Sequence, residues 1–248
     1  MWRPGTPDPA DILRLRSVRE KHDLTPLVIH DSYLINLASC EPVIRANSIK
    51  AFRGEIERAI AIGAEFLVMH PGNCKGQPLE QGLANVVGGL AEAAHGLRSS
   101  TLTILLENTV GAGGQIGSRF EELAAIRQFA QEGMDIALGY CLDTCHCFAS
   151  GNYDVSTAEG LTATVKAAGK QLGLEHVGVI HTNDSKGEFG SRLDRHENIG
   201  QGRIGSEGFA RILRHPKLRK KAFILETPVD NEGDDLKNVN ALKELSRP

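Results

Sequence analysis

Two imidazoles and several carboxylates crowd the stretch His181-Thr-Asn-Asp-Ser-Lys-Gly and its continuation Phe189-Gly-Ser-Arg-Leu-Asp-Arg-His-Glu-Asn-Ile-Gly-Gln-Gly202. Asp194 and His196 lie one residue apart in a run too polar and too glycine-flanked for a core strand. An imidazole and a carboxylate at that spacing, with another His upstream, suit a divalent cation that takes nitrogen and oxygen ligands together. Taken alone, the segment has a solvated surface loop as its less favoured reading. The pattern recurs, however, along the whole chain. His30 closes the apolar run Pro26-Leu-Val-Ile-His30, His70 closes Phe66-Leu-Val-Met-His70, and Glu107 closes Leu102-Thr-Ile-Leu-Leu-Glu107. Asp143 closes the run from Ile136, His181 closes Val177-Gly-Val-Ile-His181, and Glu226 closes Phe223-Ile-Leu-Glu226. One such residue is usually a hydrogen-bonded structural group; metal-competent side chains in all six units point to a polynuclear metal site.

The runs themselves say how these residues are brought together. Their near-continuous apolar character indicates parallel strands covered on both faces. Between them lie helical patterns: Ile49, Phe52, Ile56 and Ile60 recur at helical spacing, and Ser118-x-x-Glu121 and Ser156-x-x-Glu159 read as capping boxes. The expected fold is α/β, a TIM (β/α) barrel, in which every strand's C-terminal end points to one rim and residues distant in sequence share one cavity. No linker or low-complexity stretch interrupts residues 1–248, so a single barrel domain is expected. A closed barrel has eight strands and six are counted here. The expectation is therefore about six of eight βα units, with roughly one or two units absent at the N-terminal side.

Composition narrows the function classes. The chain has 248 residues, 41% of them hydrophobic and 24% charged, with a formal net charge of −3, an ordinary globular balance. No apolar run reaches membrane-spanning length, and the N-terminus lacks the apolar stretch of a signal peptide, so cytoplasmic residence without a membrane partner is expected. Five cysteines include no Cys-x-x-Cys pair; Cys141, Cys145 and Cys147 are expected to be small buried thiols rather than metal ligands. Three bound divalent cations would carry the charge from −3 to about +3, with the added charge concentrated in one cleft. The basic run His215-Pro-Lys-Leu-Arg-Lys-Lys221 precedes a strand, so it reads as a solvated connection at the far end of the barrel.

Seven segments carry a resemblance to a known family: His30-Asp-Ser-Tyr-Leu-Ile-Asn-Leu37, His70-Pro-Gly72, Leu106-Glu-Asn-Thr109, Leu142-Asp-Thr-Cys-His146, His181-x-Asn-Asp184, Asp194-Arg-His196 and Leu225-Glu-Thr227. In this order, from about Trp2 onwards, they resemble the endonuclease IV family of apurinic/apyrimidinic endonucleases; Trp2-Arg3 matches a loop that in the family follows two further strands and a helix. The resemblance implies a TIM barrel holding three Zn²⁺ ions, with Mn²⁺ a possible substitute. It implies that His30 and His70 hold the first ion with Glu107. Glu107 bridges to a second ion bound by Asp143, His181 and Glu226, and His146, Asp194 and His196 hold the third. The implied partner is double-stranded DNA containing abasic sites. The implied reaction is hydrolysis of the phosphodiester 5′ to the lesion, leaving a 3′-hydroxyl and a 5′-deoxyribose phosphate, with Glu226 and Glu107 as the catalytic carboxylates. Tyr33 and Leu34 match the family's wedge into the base stack, and Lys186, Arg192 and Arg195 are expected phosphate contacts. A monomer is expected of a complete barrel and self-association of a short one.

Two other readings use the same residues. Xylose-isomerase-like sugar isomerases and epimerases place Glu, Asp, His and Glu at strand ends much as Glu107, Asp143, His181 and Glu226 fall here. His30, His70, His146 and the Asp194-x-His196 pair are what such an enzyme does not need. A catalytically inactive remnant is the reading the missing strands would suggest.

Overall fold

Short apolar runs flanked by Gly and Pro become strands, and the longer amphipathic stretches between them become helices. The computed structural model describes Gly5 and Pro7–Arg247. In chain order its elements are α1 (Pro9–His22), β1 (Val28–His30), α2 (Pro42–Ile62), β2 (Phe66–Met69), α3 (Leu79–Ala94), β3 (Thr103–Glu107), α4 (Phe120–Gln131), β4 (Ala137–Asp143), α5 (Thr144–Ser150), α6 (Ala158–Gln171), β5 (Val177–His181), β6 (Asp184–Ser185), β7 (His196–Glu197), α7 (Gly205–Arg214), β8 (Ala222–Ile224) and α8 (Asp234–Leu245). The matches of Trp2 and Arg3 lie outside the described residues.

Six strands form one sheet in the order β1-β2-β3-β4-β5-β8, each pair parallel, while β6 and β7 form a small antiparallel ladder of their own. The sheet is that of a (β/α) barrel, and the six strands counted in the sequence are the six observed. Alternate strand residues face opposite sides. Val68, Leu105, Cys141 and Val179 pack together as the inner layer. Leu67, Met69, Ile104, Leu106 and Ile180 belong to the larger cluster shared with the helices. On α2, Ile49, Phe52 and Ile56 are buried at the expected spacing, and Gly63 ends the helix at φ 75°, its N–H reaching the Ala59 and Ile60 carbonyls. No helix among the described residues is long and apolar enough to cross a membrane.

Two helix starts differ from expectation. Arg119 precedes α4 and makes no side-chain cap, so Ser118 closes no capping box. At α6 the cap is Thr157, whose Oγ1 accepts the Gly160 N–H at 3.1 Å. Ser156, one residue earlier, turns both its hydroxyl and its backbone N–H to Asp154 Oδ1, at 2.7 and 2.8 Å. The connection His215–Lys221 does run from the end of α7 into β8, at the strands' N-terminal end; Lys221 Nζ donates there to the Leu174 carbonyl at 2.7 Å.

Candidate metal centre

Strand register decides which residues meet. Asp143 pairs with His181 across β4 and β5, Glu107 with Cys141 across β3 and β4, and His30 with Val68 across β1 and β2. His70 follows the last residue of β2 and Glu226 lies two residues past β8, so both enter the rim from the start of a loop. The second His source is local: Asp143 caps α5, its Oδ1 accepting the His146 N–H at 2.7 Å, which turns His146 back over the strand ends.

The result is a chain of imidazoles around one buried carboxylate. Ring centroids are 5.3 Å apart for His30 and His70, 5.8 Å for His30 and His181, 5.5 Å for His70 and His146, and 5.6 Å for His146 and His196. Glu107 has no solvent exposure. Its Oε2 faces His30 Nε2 at 3.0 Å and His70 Nε2 at 3.5 Å; its Oε1 faces His181 Nδ1 at 3.0 Å and His146 Nδ1 at 3.3 Å. His181 Nδ1 also lies 3.1 Å from Glu226 Oε2. His146 Nε2 meets Asp194 Oδ1 at 3.2 Å, and His196 Nε2 stands 3.7 Å from both Asp143 Oδ2 and Asp194 Oδ1.

Donor atoms within 4.8 Å of one another fall into overlapping sets: Glu107, Asp143, His181 and Glu226; His30, Glu107 and His181; His70, Glu107 and His146; and Asp143, His146 and His196. The first coincides with the expected second-ion set. The others share Glu107 and His146 between neighbours rather than dividing His30 and His70 from the rest. All nine expected ligands therefore line one rim. Lys186, Arg192 and Arg195 are exposed on the loop beside it, and Tyr33 and Leu34 project at 89% and 57% exposure.

Whether this donor set fits cations is answered by its hydrogen bonds. His30, His146 and His196 each direct Nδ1 at a backbone carbonyl, of Asp31, Asn108 and Glu226, at 2.9, 2.9 and 3.0 Å. A carbonyl only accepts, so Nδ1 carries the proton and Nε2 is left as the donor atom for an ion. His196 Nε2 is buried with no hydrogen-bond partner, an uncompensated position that a bound cation would satisfy. Without a cation the cluster holds protons instead. Burial alone would push His30 down, but the hydrogen bond and charge of Glu107 raise it to about 9. His181 is driven far up in the same way, and Glu107, despite its burial, is held well below the carboxylate range by His181 and His70. The hydrogen bond from His146 holds Asp194 down at about 2. The residues fit divalent ions of the zinc type.

The thiols do not compete. Cys141, Cys145 and Cys147 are buried, and burial pushes Cys141 and Cys145 up to about 12. In the loop Gly111–Gly114, Gly113 and Gly114 are exposed and lie beside Asn73 and Lys75, with Gly114 at φ 93°.

Sequence reasoning left two orienting amides without a role. Asn183 is fully buried: its Nδ2 donates to Asp143 Oδ2 at 2.6 Å and its Oδ1 accepts the Glu226 N–H at 2.8 Å. Asn108 Oδ1 accepts the Asp143 N–H at 2.7 Å, while its carbonyl fixes His146. Both follow a ligand by one or two residues inside the motifs quoted above, which is the signal that could have found them.

Comparison with known proteins gives four findings. Residues 2–246 match the family model described as a xylose isomerase-like TIM barrel. The chain is 56% identical over 246 residues to a probable endonuclease 4 of Solibacter usitatus, covering 99% of this chain and 84% of that protein. It superposes on the crystal structure of endonuclease IV from Thermus thermophilus with a TM-score of 0.84 and 38% identity, covering 99% of this chain and 84% of the other. A D-tagatose 3-epimerase-like protein shares the fold alone, at a TM-score of 0.69 and 24% identity, covering 96% and 83%.

Proposed function

The chain belongs to the endonuclease IV family, and on that footing we propose that it is a metal-dependent phosphodiesterase that cuts DNA on the 5′ side of abasic sites. The observation that carries this reading is the set of ligands beyond Glu107, Asp143, His181 and Glu226. His30, His70, His146, Asp194 and His196 extend the donor cluster across the rim, and a one- or two-metal sugar isomerase has no use for them.

Three divalent cations, when bound, supply Lewis-acid polarisation of the phosphoryl oxygens and bring the pKa of water towards ~7. Glu107 would serve the first two, its two oxygens facing His30 and His70 on one side and His181 on the other. Asp143 and Glu226 would complete the second set, and His146, Asp194 and His196 would hold the third. Glu226 is the carboxylate nearest solvent in its group. Although burial favours its protonated form, the hydrogen bond and charge of His181 keep it below the usual range, so it is available to orient an attacking water or take its proton. Asn183 fixes both Asp143 and the Glu226 backbone, which sets their separation.

The partner is duplex DNA. Tyr33 and Leu34, exposed beside the cleft, serve as the wedge; Lys186, Arg192 and Arg195 take backbone phosphates. An abasic nucleotide lacks pairing and stacking and is the cheapest to extrude, which selects the lesion without base contacts. The test is a duplex with one central abasic analogue, supplied with Zn²⁺ or Mn²⁺. A nick 5′ to the lesion, with intact duplex untouched, is expected. Conversion of a ketose with no nicking would transfer the site to the isomerase reading.

A further inference from the structure

Asp184 lies at the bottom of the rim with no solvent exposure, and both of its oxygens are occupied by backbone donors. Oδ1 accepts the N–H groups of Ser185 and Ile204 at 2.8 and 2.9 Å, and Oδ2 those of Gly200 and Gly202 at 3.0 Å each. Gly205 N–H reaches the same carboxylate at 3.3 and 3.4 Å. The loop curls around this one side chain: Gly200 and Gly205 take φ of 81° and 72°, and a Cβ on Gly202 would lie 2.5 Å from both Asp184 Oδ1 and the Ser185 carbonyl. Asp184 belongs to none of the metal-competent groups.

What it anchors is the segment that carries two metal ligands. Asp184 and Ser185 pair antiparallel with Glu197 and His196. The ladder continues through Lys186 N–H to the Arg195 carbonyl at 3.0 Å, and Arg203 N–H closes the loop onto the Ser185 carbonyl at 2.9 Å. The far side is tied to α5, the helix of the third ligand: Gly190 and Arg192 N–H groups donate to the Phe148 and Ala149 carbonyls at 3.2 and 2.8 Å. His196 and Asp194 thus face His146 only while this hairpin keeps its path.

We infer that Asp184 is the positioning residue of the third metal pocket, one buried carboxylate that ties the loop Asn198–Gly205 under the β6–β7 ladder and so holds Asp194 and His196 against His146. The inference rests on the three-ion reading of the site. Buried anions gathered by successive backbone N–H groups are strong anchors, and partners of metal ligands typically alter metal affinity by 10–100-fold when removed.

The experiment compares wild type, Asp184→Asn and the ligand variant Asp194→Ala, each loaded with Zn²⁺, dialysed against graded chelator and analysed for zinc per chain, with folding followed by circular dichroism. Asp184→Asn places an amide N–H₂ among N–H donors. It is expected to release one equivalent at about tenfold lower chelator than wild type, as Asp194→Ala does, with the other two equivalents unchanged. A folded Asp184→Asn that keeps all equivalents to the wild-type chelator concentration overturns the inference, as does equal weakening of all three. Gly202→Ala, which presses the same contact without altering the carboxylate, must give the same selective loss even where Asp184→Asn fails to fold. Wild type that never exceeds two equivalents defeats the three-ion reading instead. In that case hydrogen exchange of the metal-free proteins decides: loss of protection confined to residues 195–205 upholds the positioning role, and unchanged protection removes it.

Discussion

Each candidate ligand imidazole with a carbonyl-bound Nδ1 has its donor atom chosen before any ion arrives, and Asp143 is fixed by both the Asn183 amide and the N-terminus of α5. Asp143→Ala removes one member of the four-residue group and leaves Asn183 Nδ2 without its 2.6 Å partner. Losing several kcal/mol of charge stabilisation lowers turnover by about 10²–10³-fold or more, checked by nicking kinetics with zinc content measured alongside. Asn183→Ala keeps every ligand but frees Asp143 and Glu226; metal affinity is expected to fall by ~10–100-fold. Protons and ions compete for the same nitrogens. His30 is raised to about 9 in the metal-free protein, so ion uptake near neutral pH must displace its proton. Apparent affinity therefore rises with pH through about 9 and goes on rising beyond it, because His181 still holds its proton there. The sign for metal-free stability is opposite: the His30–Glu107 contribution is full below the ordinary His value and is lost as pH rises through the folded value. Isothermal titration in buffers of different ionisation enthalpy, with thermal melts across the same pH range, checks both. At this scale the sequence was most legible where chemistry is scarce. A single His or Asp ending an apolar strand is usually structural and becomes telling only by recurring in all six units, whereas Asn108, Asn183 and Asp184 act through ordinary hydrogen bonds whose partners are distant in sequence.

The strands were legible because parallel burial leaves continuous apolar runs, and all six lie within two residues or so of where the pattern puts them. The helix starts were less so. Ser156 and Thr157 are both competent caps and both hydroxyls donate to Asp154; Thr157 alone also accepts a helix N–H. The ladder β6–β7, two residues a side, has no periodicity to read. Close contacts inside the sheet were equally hidden. Gly139 in β4 sits where a Cβ would lie 2.6 Å from the His176 carbonyl and 3.0 Å from Leu105 Cδ2, just before the register irregularity at Tyr140 and Cys141. A backbone oxygen cannot rotate away as a side chain does, so Gly139→Ala must displace the strand that delivers Asp143. The expected cost is about 1–3 kcal/mol, read from a denaturant midpoint lowered at unchanged m-value. A variant as stable as wild type would show that β4 has slack there.

For the whole molecule the decisive quantity is where charge sits. The formal net charge is −3, and among the described residues the carboxylates Glu107, Asp143, Asp194 and Glu226 concentrate negative charge in the cleft that must receive a polyanion. Three divalent ions would carry the total to about +3 and invert the sign at that spot. The exposed cations Lys186, Arg192 and Arg195 flank it but are partly spoken for, Lys186 lying 4.0 Å from Glu197 Oε2. DNA affinity is therefore expected to depend on metal more than on surface cations. Binding of a nicked product duplex, on which no turnover complicates the equilibrium, should weaken by about tenfold or more on chelation, with a shallower dependence of log K on log salt. Replacing Lys186, Arg192 and Arg195 together by Ala, metals retained, should flatten that slope by ~0.9 for each phosphate that is no longer neutralised. Fluorescence anisotropy across a salt series separates the two. An affinity and slope untouched by chelation, yet abolished by the triple substitution, would place recognition on the protein's own cations and leave the metals to chemistry alone.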